Sequence, residues 1–314
     1  MKAIVTGASG FVGSRLVLEL VRKGYQVAAI GRKSFDSLPI FRKDLLKDSQ
    51  YLQLDLDSIE LLETRLVDLK FDTPGEKIFF HLAWGGKSRL SDLDVSAQCN
   101  NIARTIDTYD LAGRLGVSRY IFCGTMEEAF AEKFTHLDHR MDKMFNRHSI
   151  YALAKVSARQ ALKWRYETCG TDIVFATNSH VMGPFDDKDS FLQVALAKIL
   201  KGLNVEMSSG RQLFDVINVA DCAEAIIAIA NKGKLGESYW IGSGHPRPLI
   251  DFVDEMNFLF PRVNIISGSL PYNDVILDEK VFEIDKLVSD TGFNPTRSFA
   301  NSVKELALHL ERQL

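Results

Sequence analysis

Residues 6–13 read Thr6-Gly7-Ala8-Ser9-Gly10-Phe11-Val12-Gly13, directly after the short apolar run Ala3-Ile4-Val5. This spacing suits a turn that carries the chain from a first strand into a helix. Gly7 permits a tight reversal, Gly10 admits a pyrophosphate to the backbone, and Gly13 lets the helix pack closely on the strand. The free N–H groups and dipole at the helix start then face the phosphates. Glycine-rich turns without a ligand are common, so position decides, and this turn follows the first predicted strand.

Outward from that turn, apolar runs alternate with stretches of helical periodicity. Strands are predicted at Ala3–Thr6, Gln26–Ile30, Tyr51–Leu54, Lys77–Leu82, Arg119–Cys123 and Asp172–Ala176. Helices are predicted between them at Gly10–Lys23, Ile59–Leu69, Ala97–Leu115 and Tyr151–Cys169. Such alternation predicts an α/β fold, a Rossmann-type doubly wound parallel sheet with right-handed crossovers. After Gly183-Pro184 the pattern loosens. Helices are predicted at Ser190–Lys201, Ala220–Asn231, Leu249–Leu259 and Phe299–Gln313, with extended pieces at Asp215–Asn218 and Ser238–Ile241. The expected organisation is a dinucleotide-binding domain over 1–176, rejoined by 215–245. A small mixed C-terminal substrate domain, over 177–214 and 246–314, forms a lid on the carboxyl edge of the sheet.

At 314 residues, 46% of them hydrophobic and 25% charged, the chain can bury a full core. A net charge of −3 supplies no strong field for nucleic acid or an anionic membrane, which leaves a small molecule as the expected partner. The four cysteines, Cys99, Cys123, Cys169 and Cys222, form no CxxC pair and suit reduced thiols better than a disulfide frame. The first apolar run is too short for a signal-peptide core, and Val219–Ala230 is interrupted by Asp221 and Glu224. A soluble cytoplasmic protein is expected.

The second predicted strand ends Ile30-Gly31-Arg32-Lys33, where an NAD enzyme often carries an acid for the ribose hydroxyls. Gly31 is uncharged, and Arg32 and Lys33 suit the 2′-phosphate of NADP. NADP(H) is therefore the expected cofactor, with NAD(H) as the alternative. Asp55 is read either as an acceptor for the adenine amino group or as an ordinary N-cap.

Tyr151 and Lys155 form the only Tyr-x3-Lys among the eight tyrosines, and Thr125 stands at the carboxyl end of a predicted strand, just past Cys123, before them. A phenol ionises near pH 10, so it needs help to exchange protons at neutral pH. An ammonium one helical turn away supplies that help. His136-x2-His139 with His148 nearby lacks any cysteine or HExxH context, so no metal is expected. Nor is there a GxSxG nucleophile elbow.

Together with His81-Leu82-Ala83, Asn101 in Asn101-Ile102-x2-Thr105, Gly124-Thr125, Gly183-Pro184 and Asp221, these motifs make the chain resemble extended short-chain dehydrogenase/reductases. The resemblance is to their sugar-nucleotide epimerase, dehydratase and reductase group and spans nearly the whole sequence. It implies that Thr125, Tyr151 and Lys155 are catalytic. It implies a cofactor set of Gly7, Gly10, Phe11, Val12, Gly13, Arg32, Lys33, Asp55, Leu56, Leu82, Ala83, Asn101, Tyr151, Lys155 and Val181. Trp84, Thr125, Met126, His180 and Arg211 would face the substrate, Trp84 being either a stacking wall or a core aromatic and Arg211 either a stand-in cation or a loop charge. Homodimerisation would use the helices at Ala97–Leu115 and Tyr151–Cys169.

The chain departs from the group's pattern at Thr177, His180, Met182 and Phe214, where arginine, asparagine, tyrosine and arginine are usual. Dehydratases of the group follow the threonine with Asp-Glu, whereas here Met126 precedes Glu127. The resulting expectation is NADP(H)-dependent reduction of a 4-keto-sugar nucleotide in deoxysugar or polysaccharide biosynthesis, with Tyr151 as proton donor. The alternatives are an NAD-dependent nucleotide-sugar epimerase and a non-catalytic NADP-binding sensor.

Overall fold

The computed structural model describes residues 1–71, 74–86, 94–135, 146–186, 190–260, 263–270 and 276–312, without the side chains of 132–135, 146–149 and 169. The first half runs β1 (Lys2–Thr6), α1 (Phe11–Arg22), β2 (Gln26–Gly31), α2 (Ile40–Leu46), β3 (Gln50–Gln53), α3 (Leu62–Asp68), β4 (Lys77–His81), α4 (Val95–Arg114), β5 (Arg119–Thr125), α5 (Glu127–Thr135), α6 (Asn146–Cys169) and β6 (Ile173–Asn178). The rest runs β7 (His180–Met182), α7 (Phe191–Leu200), β8 (Val205–Met207), β9 (Leu213–Phe214), β10 (Val216–Asn218), α8 (Val219–Lys232), β11 (Ser238–Ile241), β12 (Arg247–Pro248), α9 (Leu249–Leu259), β13 (Ile265–Ser267), α10 (Asp285–Thr291) and α11 (Phe299–Glu311).

Seven strands form one parallel sheet in the order β11-β6-β5-β4-β1-β2-β3. The strand order reverses at β1, the usual place for a ligand crevice at the carboxyl edge. Side chains alternate across the sheet, as the pleat requires. Val5, Phe80, Ile121 and Val174 join α1 and α8 on one face, while Ile4, Phe79, Phe122 and Phe175 join α3, α4 and α6 on the other. Both faces are covered, which explains the near-continuous apolar strands. A third apolar cluster gathers α7, α9 and α11 around Met182, Val205 and Val216.

Several predicted elements change at their edges. β5 and β6 each continue two residues past the predicted ends, to Thr125 and Asn178, in each case through one threonine and one strand-poor residue, Gly124 or Asn178. The helix predicted at Ile59–Leu69 instead opens as a 3-10 segment at Leu56–Leu61, with Ser58 non-helical, and only Leu62–Asp68 is α-helical. Asp55 caps that opening by accepting from Asp57 N. α6 begins at Asn146, ahead of the predicted Tyr151, and α2, α5 and α10 carry no prediction. α2 and α10 span only seven residues each, too few to show a full period.

Candidate active site

β1, β4 and β5 are neighbours in the sheet, so the segments leaving their carboxyl ends meet. Gly7 adopts a left-handed φ of 71°, and a Cβ there would stand 2.7 Å from Ala83 N, which leaves glycine as the fitting residue. A Cβ on Gly13 would overlap Gly7 O, so α1 packs on the turn itself. Gly10 is the N-cap of α1 and provides no side-chain acceptor, which leaves the first-turn amides facing the crevice. Those amides, the bare glycine backbone and the close Ala83 fit a nicotinamide dinucleotide's pyrophosphate.

At the end of β2 a Cβ on Gly31 would overlap the Tyr51 hydroxyl and stand 3.0 Å from Ser9 Oγ. Tyr51 is anchored there by donating to Lys33 O at 2.7 Å. An acid at position 31 would therefore have to displace the Tyr51 ring. Arg32 and Lys33 are exposed beside this corner. Asp55 and Leu56 lie beyond the end of β3, and Arg104 of α4 grips neighbouring Asp57 through both Nε and Nη2 at 2.5 Å. Leu82, Phe11 and Val12 lie on the α1 side of the sheet, and Val181 in β7 pairs with Ile217 of β10.

His81 ends β4 inside the protein, with Nδ1 2.9 Å from Thr6 Oγ1 and Nε2 3.3 Å from Thr105 Oγ1. Burial, with Lys155 adding to it, lowers its pKa to about 3, so the ring is neutral and bridges β1 to α4. Asn101 closes a two-way amide pair with Gly85, donating to its carbonyl at 2.9 Å and accepting from its N–H at 2.8 Å. That clamp fixes the segment bearing Trp84, whose Nε1 donates to Gln98 at 2.8 Å.

Tyr151 sits in the second turn of α6, its ring edge-on to Trp84 with centroids 6.1 Å apart. Its hydroxyl is hydrogen-bonded to the Thr125 side chain. Burial raises the phenol's pKa, the Thr125 hydrogen bond opposes the rise, and the charges of Glu127 and Glu128 add to it. The group is thus protonated at neutral pH. Lys155 is buried, donates to Cys123 O at 3.1 Å, and holds its ammonium 3.8 Å from the Trp84 ring centroid. Thr125, Tyr151, Lys155 and Trp84 therefore come together at the end of β5.

Met126 is only 6% exposed, its N–H bonded to Asn178 O at 2.8 Å. His180 lies farther into the second half, its ring 5.1 Å from that of Phe214, and Arg211 is exposed on the turn after Gly210. Asp221 accepts from Thr296 N and Oγ1 at 3.0 Å, from Arg297 N at 2.8 Å and from the Arg297 guanidinium, which ties the C-terminal segment to the start of α8. His136 and His139, and the side chain of His148, lie outside the described residues.

Ser9, Tyr51, Gln98, Glu128 and Arg159 take part in this architecture without having been singled out in the sequence. Arg159 had a legible signal, since Tyr151, Lys155 and Arg159 recur at four-residue steps on one helix face. Glu128 had none, because its partner is distant in sequence.

A doubly wound sheet with this glycine turn and a Tyr-Lys helix beside a strand-end threonine defines a nicotinamide-dependent short-chain dehydrogenase/reductase of the extended type. The chain belongs to the NAD dependent epimerase/dehydratase family, whose model matches residues 3–242. It is 25% identical to the CDP-abequose synthase of Salmonella typhimurium over 98% of this chain and 97% of that protein. It is 21% identical to the dTDP-glucose 4,6-dehydratase of Escherichia coli, covering 97% of this chain and 91% of that protein. The UDP-glucose 4-epimerase of Thermotoga maritima shares the fold with a TM-score of 0.78 at 20% identity, over 100% of this chain and 99% of that one. No helix among the described residues is long and apolar enough to cross a membrane.

Proposed function

We propose that the chain reduces a 4-keto-sugar nucleotide, using NADPH. The crevice, with α1's amides and Ala83, would hold the cofactor, and Arg32 and Lys33 would take its 2′-phosphate. Tyr151 delivers a proton to the carbonyl oxygen while the carbonyl carbon takes the hydride that a bound reduced nicotinamide supplies. Thr125 orients that oxygen through its hydroxyl. The Lys155 ammonium stabilises the phenolate left behind. The lid over 177–214 and 246–314 would select the sugar, with Trp84, His180 and Arg211 on the substrate side.

One observation carries reduction over dehydration. Buried Met126 stands where the group's dehydratases have an acid, and Glu128 is engaged by Arg159 and by the backbone. A phenol held protonated also suits proton donation. The sugar-nucleotide class draws on the relatives' names, CDP-abequose synthase and dTDP-glucose 4,6-dehydratase.

The test is NADPH consumption over a panel of CDP-, dTDP- and UDP-linked 4-keto sugars. Tyr151→Phe should abolish turnover and spare NADPH affinity. Turnover unchanged in that variant removes Tyr151 from the mechanism, and tightly retained NAD with no net consumption points to an epimerase.

A further inference from the structure

Arg159 is 8% exposed and lies two turns beyond Tyr151 on the same side of α6. Its Nε donates to Glu128 Oε2 at 2.5 Å, and Nη2 to Glu128 Oε1 at 3.2 Å and Thr177 Oγ1 at 2.7 Å. Nη1 donates to Ser238 Oγ at 3.1 Å. One guanidinium thus joins α5, β6 and β11 beneath the end of β5. Glu128 Oε1 also accepts the Thr125 N–H at 2.9 Å, a backbone donor turned to a side chain while the next amide, Met126 N, goes to Asn178 O.

Gly124 shows how closely the pair approaches the strand. A Cβ there would overlap Glu128 Oε1 and stand 2.5 Å from Arg159 Nη2. Buried charges are tolerated when paired and hydrogen-bonded, and here four guanidinium bonds and both Glu128 oxygens are engaged, with Glu128 reaching on to the threonine holding Tyr151.

We propose that Glu128 and Arg159 are positioning residues that fix the Thr125 peptide, and through its hydroxyl the Tyr151 phenol, at the end of β5. The proposal rests on the Thr125–Tyr151 reading above. Arg159 also offsets the Glu128 charge near the phenol. The charged groups acting on the Tyr151 phenol are Glu127 and Glu128 from α5, while Lys155 of its own helix lies against the same Trp84 ring, and Trp84 and Thr125 contribute no charge. A purely structural ion pair would instead support the sheet edge as a whole.

Hydrogen exchange of the full chain, labelled with ¹⁵N at threonine and methionine, separates the two cases without a substrate. Arg159→Met should speed exchange at Thr125 by at least about tenfold, the loss of a charge-assisted acceptor geometry, and leave Met126 within about twofold. Arg159→Lys should restore most of the protection. Equal acceleration at both amides, or none at either, overturns the proposal. If Arg159→Met does not fold, Glu128→Gln keeps the shape, and an upfield move of the Thr125 amide proton with Met126 unmoved supports the pair, whereas no movement overturns it. With a 4-keto-sugar nucleotide that wild type consumes, Arg159→Met should lower kcat about tenfold with KM within about twofold. Wild type that consumes none of the panel fails the reductase reading alone, since the exchange result stands independently.

Discussion

Replacing Arg32 and Lys33 together by alanine tests the cofactor assignment at the corner built by Gly31, Ser9 and Tyr51. Both side chains are exposed, so a contact with a 2′-phosphate lies nearer the aqueous Coulomb value of about 1 kcal/mol than the several kcal/mol of a buried pair. At about 1 to 1.5 kcal/mol per contact, the double variant should lose roughly 30- to 160-fold in NADPH affinity, each 1.36 kcal/mol being tenfold. NADH, which lacks the phosphate, should bind as before. Fluorescence titration of nucleotide-stripped protein reads both, and raising the salt should narrow the wild-type preference because exposed charges are screened over about 10 Å at 0.1 M. Equal weakening of NADPH and NADH, or no weakening of either, refutes the reasoning and leaves Arg32 and Lys33 as solvated surface charges. Gly31→Asp alone should not convert the protein to NADH, because its Cβ overlaps the Tyr51 hydroxyl that Lys33 O holds in place.

Three further outcomes follow from the geometry. His81 is held neutral when folded with its pKa lowered to about 3, so the unfolded chain takes the proton first, and stability present above about pH 6.5 is lost as pH falls below it. Between pH 6.5 and 5 this amounts to about 1.5 kcal/mol, and urea titrations of His81→Gln should lack that part of the slope; an identical slope refutes the assignment. Asp221→Ala leaves the Thr296 and Arg297 donors without their acceptor, and a loss of about 3 kcal/mol should lower Tm by roughly 5 °C; an unchanged Tm shows that this tie does not support the fold. A homodimer through α4 and α6 would cover Trp164, now 68% exposed, so Trp164→Asp should turn a dimer into a monomer by light scattering, and a wild type already monomeric ends that expectation.

The parallel sheet was legible because each strand is buried on both faces and each crossover helix carries its own period. The glycine turn, Tyr151 and Lys155 were legible because spacing along one turn or one helix face is local. Tyr51 was not, since its approach to Gly31 exists only once β2 and β3 are paired. Glu128 met Arg159 only through packing of α5 on α6, and no residue spacing encodes that. Asp55 shows the opposite limit: its role as a local cap was readable, but its sequence could not choose between cap and ligand contact. The short helices α2 and α10 went unseen because seven residues give too little periodicity to rise above the surrounding loops.

β11 is made from residues 238–241, yet it lies against β6, which ends at Asn178. During synthesis the backbone of β6 must therefore wait about sixty residues of elongation before its outer neighbour emerges, several seconds at ordinary ribosomal rates. Over that interval a strand carrying Val174 and Phe175 presents an unpaired edge, the kind of template on which nascent chains adhere to one another. Slower translation between Asn178 and Ile241 should therefore lengthen that exposure and lower the yield of this protein in a cell.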